Sequence, residues 1–371
     1  MSSRKIERGA VVTGCPVRHG ADGAWQVTGF AAGREVLRST DTVQAGLGVE
    51  TVEKLPPSIR RPVLYRDGEE HREHRRQTAR FFTPRRVDEH YRGLMERVAD
   101  EQLAMLTTQH EADLAKLSFR MAIEVVSAVI GLTDSRPGLD KRLDAFFPEK
   151  FGRPGFTSLN GIRWVFKQNV QFLGIYLADV RPAVRRRRRQ RQDDLISHLI
   201  DEGCRDGEIL GECLTFAAAG MVTTREFVNV VAWHLFTDEA LRERYTGGDE
   251  PDRVALLHEL LRLEPVVGNL KRRTTAELTA GDAVIPKDAL VDVNVSAANL
   301  EEAGDGPGLA FGDGPHRCPG AYVAIQEADI FLSKLFALPD LRMVQPPRVA
   351  MKPDISSYEL RDFIVSVRPP G

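Results

Sequence analysis

The stretch GECLTFAAAGMVTTREFVNVVAWHLF, residues 211–236, constrains the fold more than any other part of the sequence. It is apolar nearly all the way round a helix, so it has no solvent face and must thread a core. A helix covered on every side needs a large body around it, and 371 residues supply one. Small residues crowd its middle, Ala217 to Gly220, followed by Thr223 and Thr224. Small side chains there leave either a cavity for a ligand or room for the backbone of a neighbouring element. Thr223 follows Ala219 and Gly220 by four and three residues and shares their face. Its hydroxyl has two uses open to it, a ligand or the carbonyl one turn back.

The rest of the chain reads as mostly helices, with short strands near both ends. Residues 24–38 read as a strand followed by a helix, and apolar residues recur at three and four around 69–106 and 111–131. Residues 141–180 read as two helices joined by a loop at FGRPGFTSLNG. LKRRTTAELTAGDAVIPKDALVDVNVSAANL reads as short strands and turns. Hydrophobic residues at 42% and charged residues at 28% fit a folded globular chain rather than a disordered or membrane one. No apolar run is long enough to cross a membrane, and the first twenty residues lack the apolar core of a signal peptide. The expected location is therefore the cytoplasm. A formal charge of −2 argues against a chain built mainly to hold nucleic acid. The five arginines at 185–189 are able to grip phosphates, but the expectation is a solvated helix face beside Asp193 and Asp194. Neither a nucleic acid nor a membrane is an expected partner.

Four cysteines, at 15, 204, 213 and 318, form no C-x-x-C pair and read as free thiols. His316 and Cys318 lack a second pair at zinc-ligand spacing. Cys318 nevertheless sits in FGDGPHRCPG, where Gly312 and Gly314 permit backbone angles forbidden to other residues and Pro315 stiffens the turn. Gly320 clears space where an apolar helix begins. A thiol ahead of a helix N-terminus is expected to have a lowered pKa, which suits a nucleophile, a redox sensor or a metal ligand. Upstream, Glu259 and Arg262 lie at i and i+3 among Leu257, Leu260, Leu261 and Leu263. Such a partly buried pair fixes geometry more than it adds stability.

Taken in order, these groups resemble the cytochrome P450 family. Its F-x-x-G-x-H/R-x-C-x-G signature is met by Phe311, Gly314, His316, Cys318 and Gly320, and its E-x-x-R motif by Glu259 and Arg262. Its A/G-G-x-D/E-T-T helix is matched by Ala219, Gly220, Thr223 and Thr224, and its H-x-x-x-R motif by His71 and Arg75. The resemblance runs from about residue 20 to the end and implies haem b (iron protoporphyrin IX) with Cys318 as axial thiolate. It implies that Phe311 shields the sulfur, and that Gly312 and Gly320 let backbone donors approach it. His71, Arg75, Arg272 and His316 would bind the haem propionates, with Arg273 adjacent to Arg272 as a possible slip in register. Ala219 and Gly220 would lie over the porphyrin, and Thr223 would hold the water network that supplies protons. Two departures stand out. Val222 replaces the family's acid, leaving Glu226, substrate groups or water alone to supply protons. LEEAGDGPG replaces a longer segment that usually carries an arginine, which alters the surface where an electron donor docks.

The expected fold is mainly α with small antiparallel β-sheets, the cytochrome P450 fold, as one domain over 1–371. Its β-rich part lies mainly near 20–65 and 270–300, and its helical part mainly at 66–265 and 318–337. The expected function is a haem-thiolate monooxygenase acting on a small hydrophobic or aromatic molecule in secondary metabolism, with a ferredoxin or flavodoxin and its reductase as electron source. Oxidative coupling, desaturation or peroxide-driven oxidation is the alternative; a haem-binding sensor is a weaker, non-enzymatic one. Substrate is expected among residues 41–66, 145–175, the VVGNL turn and the turn near SSYEL, with Val222 and Val267 as contacts.

Overall fold

The computed structural model describes residues 4–7, 15–53, 60–146, 159–301 and 306–368. Most of the loop sequence FGRPGFTSLNG and part of LEEAGDGPG fall outside that set. The apolar stretch forms the central helix, in three parts: Asp206–Ala217, a π-helical turn at Ala218–Val222, and Thr223–Thr237. Every residue from Thr224 to Ala232 is buried. Helices Leu114–Ile130 and Ala321–Phe336 both pack against it.

Outer helices are one-sided, as their sequences require. Arg92–Gln109 buries Met95, Val98, Ala99, Gln102, Leu103 and Leu106, a spacing of three and one that keeps a single stripe inward. Leu114–Ile130 starts where the Asp113 carboxylate accepts the Ala115 N–H at 3.1 Å and stops at Gly131, which has φ 98°.

Strands from residues 17–45 and 269–294 meet in one five-stranded sheet, ordered Val17–His19, Trp25–Val27, Leu290–Asn294, Asn269–Thr274, Thr42–Ala45. The second and third strands run parallel; the other pairs are antiparallel. Along Asn269–Thr274 the pleat turns Arg272 inward and Arg273 outward. A hairpin, Arg348–Lys352 with Ser357–Arg361, lies against the central helix.

Glu226 ties that hairpin down. Its carboxylate accepts from Leu360 N–H at 2.9 Å, Arg361 at 2.8 Å and Arg225 at 2.7 Å. Both oxygens are thus engaged in a buried network, which corrects the idea that Glu226 replaces the missing acid as a proton source. The arginine run also differs from a wholly solvated face. Arg187 is 1% exposed and reaches Asp134 at 2.8 Å and Asp194 at 2.5 Å, while Asp193 pairs instead with Arg86.

Candidate functional site

The cysteine loop is held by its own backbone. Cys318 N–H donates to the Phe311 carbonyl at 2.8 Å, and Gly312 N–H to that of Leu309 at 2.8 Å. Gly312 and Gly314 have φ of 68° and 64°. A Cβ on Gly314 would also overlap the Leu37 carbonyl, so no side chain is tolerated there. Asp313 accepts from Gly314 N–H at 2.8 Å and from Arg34 and Arg38 at 3.0 and 2.9 Å, pinning the loop to helix Phe30–Arg38. Phe311 packs on the main core. Gly320 caps helix Ala321–Phe336.

Cys318 is exposed, yet protein crowds its sulfur, and this burial pushes the thiol above its ordinary value. The Gly320 N–H, Arg75 and Arg317 pull the other way without overcoming it. Desolvation thus opposes the lowering expected from the helix terminus. Arg75 donates to the Arg317 carbonyl and so stands beside this loop.

Beside it lies a small cleft of about 30 Å³ whose lining includes Asp67, His71, Arg272 and His316. His71 stacks on His316 with ring centroids 4.1 Å apart. Burial, with His316 and Arg75 close by, pushes His71 down to about 4. Arg272 is 4% exposed, donates to Gln44 Oε1 at 2.7 Å and to the Lys271 carbonyl at 2.8 Å, and is pushed down to about 10 by burial. No carboxylate among the described residues lies within ion-pair distance of it. A buried guanidinium in that state calls for an anion. Arg273 is exposed and donates to the Asp288 carbonyl at 3.3 Å, so the register ambiguity resolves in space.

Sequence reasoning missed Asp67 and Gln44. Asp67 stands at the N-cap of helix Gly68–Thr78, yet its side chain caps nothing. It accepts instead from Gln44 N–H at 3.1 Å and meets His316 Nε2 at 2.8 Å. An N-cap aspartate that forgoes a cap worth about 1 kcal/mol is a readable signal only once the fold brings His316 over it.

On the central helix, Ala219 is exposed, and around it from Thr215 to Thr223 only Ala217 and Met221 are buried, the rest being half-buried. Thr223 Oγ1 donates to the Ala219 carbonyl at 2.5 Å, across the π-helical turn. Of the two uses open to this hydroxyl, the back-bond is the one formed. A Cβ on Gly220 would overlap Cγ2 of Val126, so the glycine permits close packing against helix Leu114–Ile130. Val222 and Val267 are both half-buried.

The Glu/Arg motif also looks different in three dimensions. The Glu259 carboxylate meets Arg244 at 2.8 Å and remains partly exposed, so it is not sealed within its own helix turn. Across the shortened segment, Asn299 donates to the Arg262 carbonyl at 3.1 Å and accepts from Leu309 N–H at 2.7 Å. This 1%-exposed amide closes the gap and was not foreseen.

Comparison with known proteins agrees with this layout. The sequence pattern of the cytochrome P450 family matches residues 254–303. The chain is 30% identical over 297 residues to cyclomarin C epoxidase CymV of Salinispora arenicola, spanning 73% of this chain and 71% of that protein. It is 28% identical over 367 residues to cytochrome P450 107B1 of Saccharopolyspora erythraea, spanning 87% and 84%. Among solved structures, CalO2 superposes with a TM-score of 0.78 at 22% identity, over 96% and 94% of the two chains. P450BioI, crystallised with a fatty-acid-ligated acyl carrier protein, gives 0.76 at 19% identity over 95% of each. Fold and relatives together define a haem-dependent oxidoreductase of the monooxygenase type. The chain belongs to the cytochrome P450 family. Bacterial members use redox partners and small-molecule substrates. No described helix is long and apolar enough to cross a membrane.

Proposed function

We propose that the whole chain acts as one domain that holds haem b between the central helix and the cysteine loop, and oxidises a small hydrophobic or aromatic molecule of secondary metabolism. The observation that carries this reading is the buried Arg272 guanidinium, without a carboxylate partner, beside the stacked His71 and His316 at the foot of the cysteine loop. A propionate supplies the missing anion through charge-assisted bonds. Arg75 adds a cation on the same side of the loop, and Asp67 orients the His316 ring. Cys318 would hold the haem iron through its thiolate, and a haem held in this way would supply the dioxygen chemistry. Holding the metal would require Cys318 to give up its thiol proton, against the effect of burial. The Gly320 N–H would then restrain the sulfur.

Thr223 holds a water on the distal side: its hydroxyl donates to the Ala219 carbonyl and keeps its oxygen free to accept from that water. Because Val222 replaces the acid and Glu226 is fully engaged, the proton reaches the site through water. Val222 and Val267 bound an apolar substrate space. Relatives named erythromycin C-12 hydroxylase and cyclomarin C epoxidase support an elaborate small molecule as substrate. A ferredoxin or flavodoxin, with its reductase, supplies electrons.

The same Val222 and Glu226 observations favour a second reading, coupling, desaturation or peroxide-driven oxidation. Turnover under labelled dioxygen decides: label in the product supports monooxygenation, and an unlabelled product favours the second reading. Thr223→Ala is expected to lower product formed per electron consumed; an unchanged yield removes the water-holding role.

A further inference from the structure

The arginine run takes no part in the site described above, and the structure gives it a shape. Arg136, Arg181, Arg185, Arg186 and Arg189 line an open groove of about 620 Å³ that contains one carboxylate, Asp134. That carboxylate is already shared between Arg186 at 2.9 Å and Arg187 at 2.8 Å. The side chains of Arg136, Arg181, Arg185 and Arg189 have no hydrogen bond or ion pair among the described residues. Three of these four repeat at i, i+4 along helix Arg181–Arg189, an arrangement that destabilises a helix through like-charge repulsion. On a chain of net charge −2, this concentration of cations makes a surface that attracts anionic partners.

The adjoining part of the same helical rod is apolar and exposed. Phe166 (72%), Val170 (54%), Leu173 (54%) and Leu177 (40%) recur every three or four residues from Leu159–Ile175 into the π-helical turn Tyr176–Val180. With Phe172, this rod holds five of the ten large apolar side chains exposed among the described residues, a concentration that marks interaction surfaces. Leu177 also lines the arginine groove, so stripe and groove are continuous.

We infer that this face docks an acidic protein whose contact helix carries apolar side chains at one end and carboxylates at the other. The rod from Phe166 to Arg189 is roughly 35 Å long, the span of a standard protein interface. A small polyanion fits the groove but leaves the stripe uncovered. A flat anionic membrane covers the stripe but does not enter a groove. Only a partner with both chemistries in sequence satisfies both halves.

The test uses the full-length holoprotein and a labelled synthetic helical peptide, with leucines at i, i+4, i+7 and i+11 followed by glutamates at i+15, i+19 and i+23. A shuffled peptide of equal composition is the comparison. The ordered peptide is expected to bind at least about tenfold more tightly than the shuffled one, and more weakly as salt rises. Combined Arg181→Gln, Arg185→Gln and Arg189→Gln, and separately Phe166→Ser with Leu173→Ser, should each cost about tenfold, whereas Arg85→Gln on an exposed helix elsewhere should not. Unchanged haem content and circular dichroism check that the variants are folded. Equal binding of both peptides overturns the inference as general charge attraction. Full displacement by tripolyphosphate, with no effect of the Phe166 and Leu173 changes, assigns the groove to a small anion. Retention on phosphatidylglycerol vesicles, lost in the same variants, assigns the face to a membrane.

Discussion

Arg272 and Arg273 are neighbours of identical chemistry, yet one is buried beside two stacked histidines and the other is exposed. The alternation that separates them is legible in the sequence as a period of two; which one points inward is decided by pairing with Thr42–Ala45 and Leu290–Asn294. Arg272→Gln removes a charge-assisted contact worth about 1.5–3 kcal/mol, so haem should dissociate roughly ten- to a hundredfold faster, as read by transfer to apomyoglobin, while Arg273→Gln leaves the rate unchanged. Gly220 shows the opposite case, a motif residue whose position has a packing cause. Gly220→Ala should cost about 1–3 kcal/mol by thermal or denaturant unfolding, and Val126→Ala in the same chain should recover part of it. From the sequence, cavity and close packing were equal explanations for the small residues, because composition does not say which element lies opposite.

At the scale of elements, the central helix was the most legible part, because a stretch without a polar face has only one place to go. Its π-helical turn was not legible: turn width depends on the helices that pack around Ala218–Val222, and no local sequence rule records them. Helix Gly68–Thr78 carries His71 and, one turn on, a second histidine that sequence reasoning passed over. His74 is 1% exposed, and neither ring nitrogen has a hydrogen-bond partner among the described residues. Burial, with the cationic Arg66 and Arg60 and the rings of His198 and His71 around it, pushes it down to about 3. The unfolded chain takes up this proton near its ordinary value of 6.5, whereas the folded chain resists until about 3. His74 therefore contributes full stability above about pH 6.5 and loses it as pH falls, by about 2 kcal/mol at pH 5. The Tm of the wild type should drop between about pH 7 and 5, and that of His74→Leu should drop less. Parallel Tm curves for the two proteins would remove His74 from the account.

At the scale of the whole molecule, segments far apart in sequence are paired. Strands from residues 17–45 pair with strands from 269–294, and Glu111–Asp113 pairs with Ile364–Ser366. Even the described N-terminal segment is docked: Arg4 donates to the Leu263 carbonyl at 2.9 Å, and Ile6 packs beside Val230, Tyr358 and Leu360. Such long-range pairing is invisible to local periodicity, so the helical class was legible and the sheet order was not. The motif order, by contrast, pointed to a haem site through its resemblance to the cytochrome P450 family. Everything functional then depends on the sulfur of Cys318 bonding iron. The most direct measurement is the optical spectrum of the reduced carbonyl adduct. A thiolate-ligated Soret band, strongly red-shifted and lost in Cys318→Ser, is the predicted result. A band typical of imidazole ligation, or a native spectrum that survives Cys318→Ser, would contradict the account.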